Sequence, residues 1–169
     1  MSTDTLVSDI YRMIDTKDIP KGVPVEQVIN DFGENVKQIL RNNITESTFD
    51  RRKLRMSNIG KPTCQLWFAK NKPEKALPKP TTFVMNMLLG DIVEAAFKGI
   101  ITEAGVAYED EDNFVQLELN EDTIHGSYDL IMDGALDDVK SASDWSYRNK
   151  FESYDTLSKG DSFGYIGQL

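Results

Sequence analysis

The chain has 169 residues, enough to bury a core of ordinary domain size. Its 40% hydrophobic and 28% charged content excludes a disordered chain. No run approaches the roughly 18 apolar residues of a membrane-spanning helix. The net charge is −9, and a single cysteine, Cys64, excludes an internal disulfide.

The start of the chain lacks the basic and apolar stretches of a secretory signal, so an intracellular, cytoplasmic protein is expected, without a membrane partner. The net negative charge counts against a nucleic-acid partner only until its distribution is read. Residues 1–50 carry a net −4, residues 51–80 a net +8, and residues 81–169 a net −13. A basic belt that can grip phosphate therefore precedes an acidic remainder that can hold a cation, although a merely solvated, charge-mixed surface has the same composition. These boundaries give an N-terminal helical region, the belt, and a core, taken together as one structural domain.

In chain order, residues 24–44 place Val25, Val28, Ile29, Phe32, Val36, Ile39 and Leu40 at helical spacing, with Pro24 at the first turn. The belt, broken by Pro62, Pro73, Pro78 and Pro80, reads as a loop, a short helix over residues 64–70, and a second loop. A helix over residues 82–104 follows, stopped by Gly105. The period then changes to two. Strands are expected over residues 114–119, 124–132 and 135–141, the last two joined by Asp133-Gly134, a strong hairpin signal. Residues 145–169 read as a loop containing Gly160 and the start of a helix near Ser162. That helix has barely begun at Leu169, so a fragment of a longer protein is expected.

The hairpin brings chemistry together. A two-residue Asp133-Gly134 loop pairs Met132 with Ala135, which sets Asp129 opposite Asp138 on the face that also carries Lys140. Leu130, Met132, Ala135 and Val139 take the other, core-facing side. Two opposed carboxylates repel unless solvated, protonated or bridged by a cation. An oxygen-rich site of this kind suits Mg²⁺ or Mn²⁺, and a lysine two residues on can reach an attacking water or a phosphate. A solvated polar face of an edge hairpin is the plain alternative. The sole histidine, His125, shares parity with Asp129 and is either a phosphate or water contact or a structural hydrogen-bonder. Ser141 and Ser143 either touch DNA backbone or cap the strand end.

The stretch HGSYDLIMDGALDDVKSAS (residues 125–143) resembles the core of the PD-(D/E)XK nuclease superfamily, an Asp on one strand and Asp/Glu-x-Lys on the next, matched by Asp129 and by Asp138-Val139-Lys140. LGDIVEAAF (residues 89–97) resembles the first-helix motif of its phage-type exonuclease branch. YIGQL (residues 165–169) resembles the start of that branch's final Gln-x-x-x-Tyr motif, and the chain ends before the tyrosine. The belt RRKLRMSNIGKPTCQLWF (residues 51–68) resembles a segment preceding the first helix in related phage nucleases.

The resemblance implies an α/β, restriction-endonuclease-like core: a helix, a three-stranded antiparallel meander, a helix and a further strand, with N-terminal helices. It implies a Mg²⁺- or Mn²⁺-dependent DNA exonuclease of phage or prophage recombination or DNA degradation, acting in host cytoplasm. Glu94, Asp129, Asp138 and the Val139 carbonyl would hold metal, Lys140 would position water, and Gln168 would orient substrate or Lys140. Gly90, one turn before Glu94, would allow a close approach. Arg55 and Ser57 are the belt positions the resemblance marks; Arg51, Arg52 and Lys61 join them as phosphate contacts by charge. Trp67 or Phe68 either stacks on a base or lies in the core. Cys64 stands where some relatives supply one iron–sulfur ligand, but the other cysteines are absent, so no cluster is expected and a buried or half-buried thiol is. A homo-oligomer and a recombination or single-strand-binding partner are compatible with the resemblance. Competing readings are an endonuclease on the same fold, a non-catalytic DNA-binding protein and a substrate-free calcium or manganese binder.

Overall fold

The computed structural model describes residues 5–44, 54–110, 113–120, 122–161 and 164–166. Helices and two small sheets alternate along the chain, an α/β mixture. The chain divides into two units, Met1–Ser47 with Lys79–Glu111 and Tyr128–Ser141, and Thr48–Pro78 with Asp112–Ser127 and Ala142–Leu169.

The first unit is built from three long helices and a hairpin. Helix α1 (Leu6–Thr16) ends where Lys17 turns left-handed, φ 56°, and its N–H closes on the Met13 carbonyl at 2.8 Å. Helix α2 (Val25–Ile44) keeps its expected span through Gly33, because the apolar positions on either side supply the packing that a glycine lacks. It lies against α4 (Thr81–Glu103), where Val28 meets the backbone at Gly99 and Asn43 Nδ2 donates to Asp91 Oδ2 at 3.2 Å.

Gly105 stops α4 as its sequence position implies: at φ +75° it donates to the Thr102 carbonyl, and Val106 donates to Ile101, a left-handed closure that costs any other residue a Cβ clash. The chain then bridges Glu109 to Ile131 through bonds of 3.0 and 2.8 Å, so strand β4 (Leu130–Met132) is bonded on one edge to residue 109 and on the other to β5 (Ala135–Asp137). Ile101 and Leu130 are fully buried at the centre, with Met132, and Leu6, Ile10, Phe97, Val106, Tyr108 and Val139 pack around them. Each fully buried aliphatic side chain here contributes about 1.5–3 kcal/mol.

The second unit carries a three-stranded sheet in the order β1-β3-β2. Strands β2 (Phe114–Leu119) and β3 (Asp122–Ser127) form an antiparallel pair through a turn at Asn120, φ 56°. Strand β1 (Leu54–Arg55) adds in parallel, Leu54 beside Ile124 and Arg55 beside His125. Two residues carry no readable period, so the belt sequence gives no sign of this strand. Helix α3 (Thr63–Asn71) follows, then a 3-10 turn at Pro73–Lys75.

Gly60 and Gly164 let two backbones touch: a Cβ on Gly60 would stand 2.8 Å from the Gly164 Cα. Asp161 holds that approach by accepting from the Tyr165 and Ile166 N–H groups at 2.8 and 2.9 Å.

Three expectations change. The strand expected over residues 124–132 is two strands in two sheets, and the third stops at Asp137, so no continuous three-stranded meander forms. The break falls at Tyr128-Asp129, because the backbone from Leu130 onward is bonded to β5 and residue 109 rather than to β2. Residues 145–158, expected as a loop, are helical: α5 (Asp144–Ser146) runs into a π-turn (Tyr147–Phe151), and α6 (Tyr154–Ser158) follows. Ser143 caps the first through its hydroxyl, 3.2 Å from the Ser146 N–H, and Ser153 and Thr156 form a capping box for the last. Ala135, expected on the core side, is exposed, since the hairpin tip projects past the buried pair Leu130 and Met132. The helix expected near Ser162 lies outside the described residues.

Candidate functional site

The site is built on the hairpin of the first unit. Asp133 and Gly134 adopt φ of 50° and 75°, both left-handed as a two-residue type I′ loop requires, and Asp-Gly tolerates this at little cost. The register follows: Met132 pairs with Ala135, Ile131 with Leu136, and Leu130 with Asp137. Asp129 and Asp138 are the next residues on either side of the last pair, beyond the ladder rather than within it.

Leaving the ladder frees Asp129 to make a different bond. Its Oδ2 accepts from the Val139 N–H at 2.6 Å, a charge-assisted bond across the hairpin mouth. Lys140 Nζ reaches Asp138 Oδ1 at 2.5 Å, with side chains 43% and 50% exposed. Glu94, from α4, is gripped by Lys98 one turn later at 2.9 Å, and Lys98 also bonds Asp110 at 3.3 Å.

The electrostatics tie these groups to one locus. Burial raises the Asp129 pKa above its ordinary value, the Val139 hydrogen bond opposes that, Glu94 and Asp138 raise it further, and Lys140 lowers it. Two acidic groups and one ammonium therefore act on the half-buried Asp129 carboxylate, Glu94 from a helix and Asp138 and Lys140 from the segment that follows β5. Burial pulls the Lys98 pKa down, but the Glu94 and Asp110 carboxylates outweigh it, and the net shift is upward.

The donor types suit a hard divalent cation: carboxylate oxygens with a lysine beside them. Among the described residues, however, no three His, Cys, Asp or Glu side chains already stand as a ready ligand cage. The ion pairs explain this. Lys98 draws Glu94 toward Asp110, Lys140 draws Asp138, and Asp129 turns one oxygen to the backbone, so ammonium groups do part of the neutralising that a cation would do. The residues fit such an ion by the chemistry of their donor atoms.

Other expected residues are dispersed. Arg51, Arg52 and Gln168 lie outside the described residues. Arg55 is half-buried in β1, Ser57 is exposed in the 3-10 turn Met56–Asn58, and Lys61 Nζ bonds Asn58 Oδ1 at 3.0 Å, all in the second unit. Gly90 has open space where a Cβ would be, so nothing among the described residues approaches it as expected. Cys64 is exposed, not buried, because it sits on the outer side of α3.

His125 belongs to the three-stranded sheet, stacked on Phe114 with centroids 5.5 Å apart, its Nδ1 buried without a hydrogen-bond partner. The parity argument linking it to Asp129 fails at the break between β3 and β4. Trp67 and Phe68, in T-shaped contact at 5.1 Å, are 52% and 51% exposed and are therefore not core.

Two participants escaped the sequence reading. Lys98 follows Glu94 by four residues, the spacing of a stabilising helical Glu–Lys pair, and that signal was present. Asp137 pairs with buried Leu130, and its Oδ2 is buried without a hydrogen-bond partner; alternation alone places it on the core side, away from Asp138. No helix among the described residues is long and apolar enough to cross a membrane. No protein-family model matches the chain, and neither the curated proteins nor the solved structures yield a match.

Proposed function

We propose that this chain is a metal-dependent DNA nuclease of the PD-(D/E)XK kind, with α4 and the β4–β5 hairpin as the catalytic part of a restriction-endonuclease-like core. The observation that carries the reading is the hairpin mouth itself, where the half-buried Asp129 carboxylate accepts from the Val139 N–H at 2.6 Å, between Asp138 and the Lys140 paired with it. A polar face made only for solubility has no reason to set two further acids, Glu94 and Asp138, near a partly desolvated carboxylate at the hairpin mouth, whose charged form they oppose.

In this reading Glu94, Asp129, Asp138 and the Val139 carbonyl hold Mg²⁺ or Mn²⁺. Such an ion, when bound, would supply Lewis acidity for the scissile phosphate and for an attacking water. Lys140 donates hydrogen bonds from Nζ to the attacking water or to a phosphate oxygen, offsetting the negative charge that grows on phosphorus. Asp138, already paired with Lys140, fixes where that ammonium stands. Lys98 holds the Glu94 carboxylate through an ion pair at 2.9 Å. The Val139 N–H keeps Asp129 oriented. Gln168 orients substrate or Lys140, and Arg51, Arg52, Arg55, Ser57 and Lys61 contact the DNA backbone. A phage or prophage exonuclease of the cytoplasm, working in recombination or DNA breakdown with an oligomeric or single-strand-binding partner, is the setting the motif order favours.

The test is hydrolysis of linear duplex DNA with Mg²⁺ against EDTA. Asp129→Ala, Asp138→Ala and Lys140→Ala should each lower the rate by at least about 100-fold. Parental rates in all three variants refute the site. Cutting of covalently closed circles moves the assignment to an endonuclease, and binding without hydrolysis in the parent moves it to a DNA-binding protein.

A further inference from the structure

We propose that the aromatic pair Trp67 and Phe68 on α3 is a stacking platform for single-stranded DNA, resting on the nuclease reading only for the identity of the polymer as DNA. Helix α3 spans nine residues and turns Leu66 and Ala69 inward, while Trp67 and Phe68 remain 52% and 51% exposed. The two rings hold each other edge to face at 5.1 Å, which gives an exposed base one ring face and a second ring at its border.

Charge selects this pair from the exposed aromatics of the second unit. Residues 54–78 carry Arg55, Lys61, Lys70, Lys72 and Lys75 against Glu74 alone. Around Trp145 and Tyr154, by contrast, Asp144, Glu152 and Asp155 stand among Arg148 and Lys150. Lys70 is committed to Asp122, a bond that pins the C-terminal part of α3 to the start of β3. Lys72 and Lys75 are exposed just beyond the aromatic pair in the chain, and half-buried Lys61, whose Nζ bonds the neutral Asn58 amide, stands just before it.

Cations that flank two solvent-facing rings along the chain match a polymer whose phosphates alternate with flat bases. In a duplex the bases are already stacked on one another, so the rings can engage only a strand that is open. The platform is therefore specific for the state of the strand and indifferent to its sequence, since every base has a π-face.

The test uses the full chain in EDTA, where hydrolysis is silent, with an oligo-dT strand of about 12 nucleotides and a duplex of equal length as probes. Trp145→Phe leaves Trp67 as the sole tryptophan, and its fluorescence should be quenched by the single strand. Trp67→Ala and Phe68→Ala should each weaken single-strand binding about 10- to 100-fold, and Trp67→Tyr should restore most of it. Lys72→Gln with Lys75→Gln should weaken binding and flatten its salt dependence.

Alanine variants that bind within about twofold of the parent while melting normally overturn the proposal, as does a duplex bound more tightly than the strand. Self-association of the parent that Phe68→Ala abolishes, without oligonucleotide binding, assigns the rings to a protein contact and overturns it equally. In the parent, intact strand binding without Mg²⁺-dependent hydrolysis sinks the nuclease reading alone, and Mg²⁺-dependent hydrolysis without quenching sinks the platform alone.

Discussion

Asp129 invites two substitutions whose effects on stability should have opposite signs. Its Oδ2 takes the Val139 N–H at 2.6 Å, and its pKa is raised chiefly by burial and further by Glu94 and Asp138. In Asp129→Ala the Val139 N–H loses its acceptor at the half-buried hairpin mouth. A charge-assisted bond is worth about 1.5–3 kcal/mol, and part of it is offset by relief of the burial and repulsion, leaving a net cost of about 1–2 kcal/mol. For a chain of this size that lowers Tm by about 2–8 °C.

In Asp129→Asn the amide oxygen still accepts the bond while the charge is gone. The variant should melt at or above the parent at neutral pH, although both variants lose hydrolysis. The pH dependence follows from the direction of the shift: a carboxyl whose folded pKa lies above its unfolded value of 3.8 binds its proton more tightly when folded. The parent's stability from this group is therefore full below that value and falls as pH rises through the folded pKa. The advantage of Asp129→Asn should appear across that window, persist at neutral pH and vanish in acid. Thermal melts followed by circular dichroism in EDTA, at neutral pH and near pH 3.8, measure it. An alanine variant as stable as the asparagine one, or an asparagine variant below the parent at neutral pH, refutes the reasoning.

Leu130→Ala should cost about 3–5 kcal/mol, because Leu130 is fully buried against Ile101 and the site can collapse only partly; urea denaturation reads this as a lower midpoint. Gly60→Ala sets a Cβ against the Gly164 backbone at φ +86°, so it should destabilise the second unit, with proteolysis near residue 60 accelerating while the hairpin of the first unit is unaffected. Lys98→Met removes the ammonium shared by Glu94 and Asp110. Since the Lys98 pKa is raised on folding, its stabilisation is full below 10.5 and lost as pH climbs through the folded value; the alkaline limb of a pH–Tm profile should flatten in the variant.

What could be read locally was read well. The span of α2, the stop of α4 at Gly105, the strand Phe114–Leu119 and the hairpin register all follow from short-range rules: helical or alternating spacing, and backbone turns that only glycine or a neighbouring Asp accepts cheaply. The register places Asp129 and Asp138 just beyond the last pair, where Asp129 bonds the Val139 N–H instead of extending the ladder. Tertiary structure decided the rest. Alternation cannot say which neighbour a strand bonds to, so the break at Tyr128-Asp129, and with it the separation of His125 from the hairpin, came from pairing with β5 and residue 109. Apolar residues enter a core only where another surface covers them, which is why Trp67 and Phe68 lie open on α3 while Leu130 is sealed. The convergence of Glu94 on Asp129 required α4 to pack on the hairpin through Ile101, an arrangement set by shared burial between segments almost thirty residues apart, beyond the reach of any sequence period.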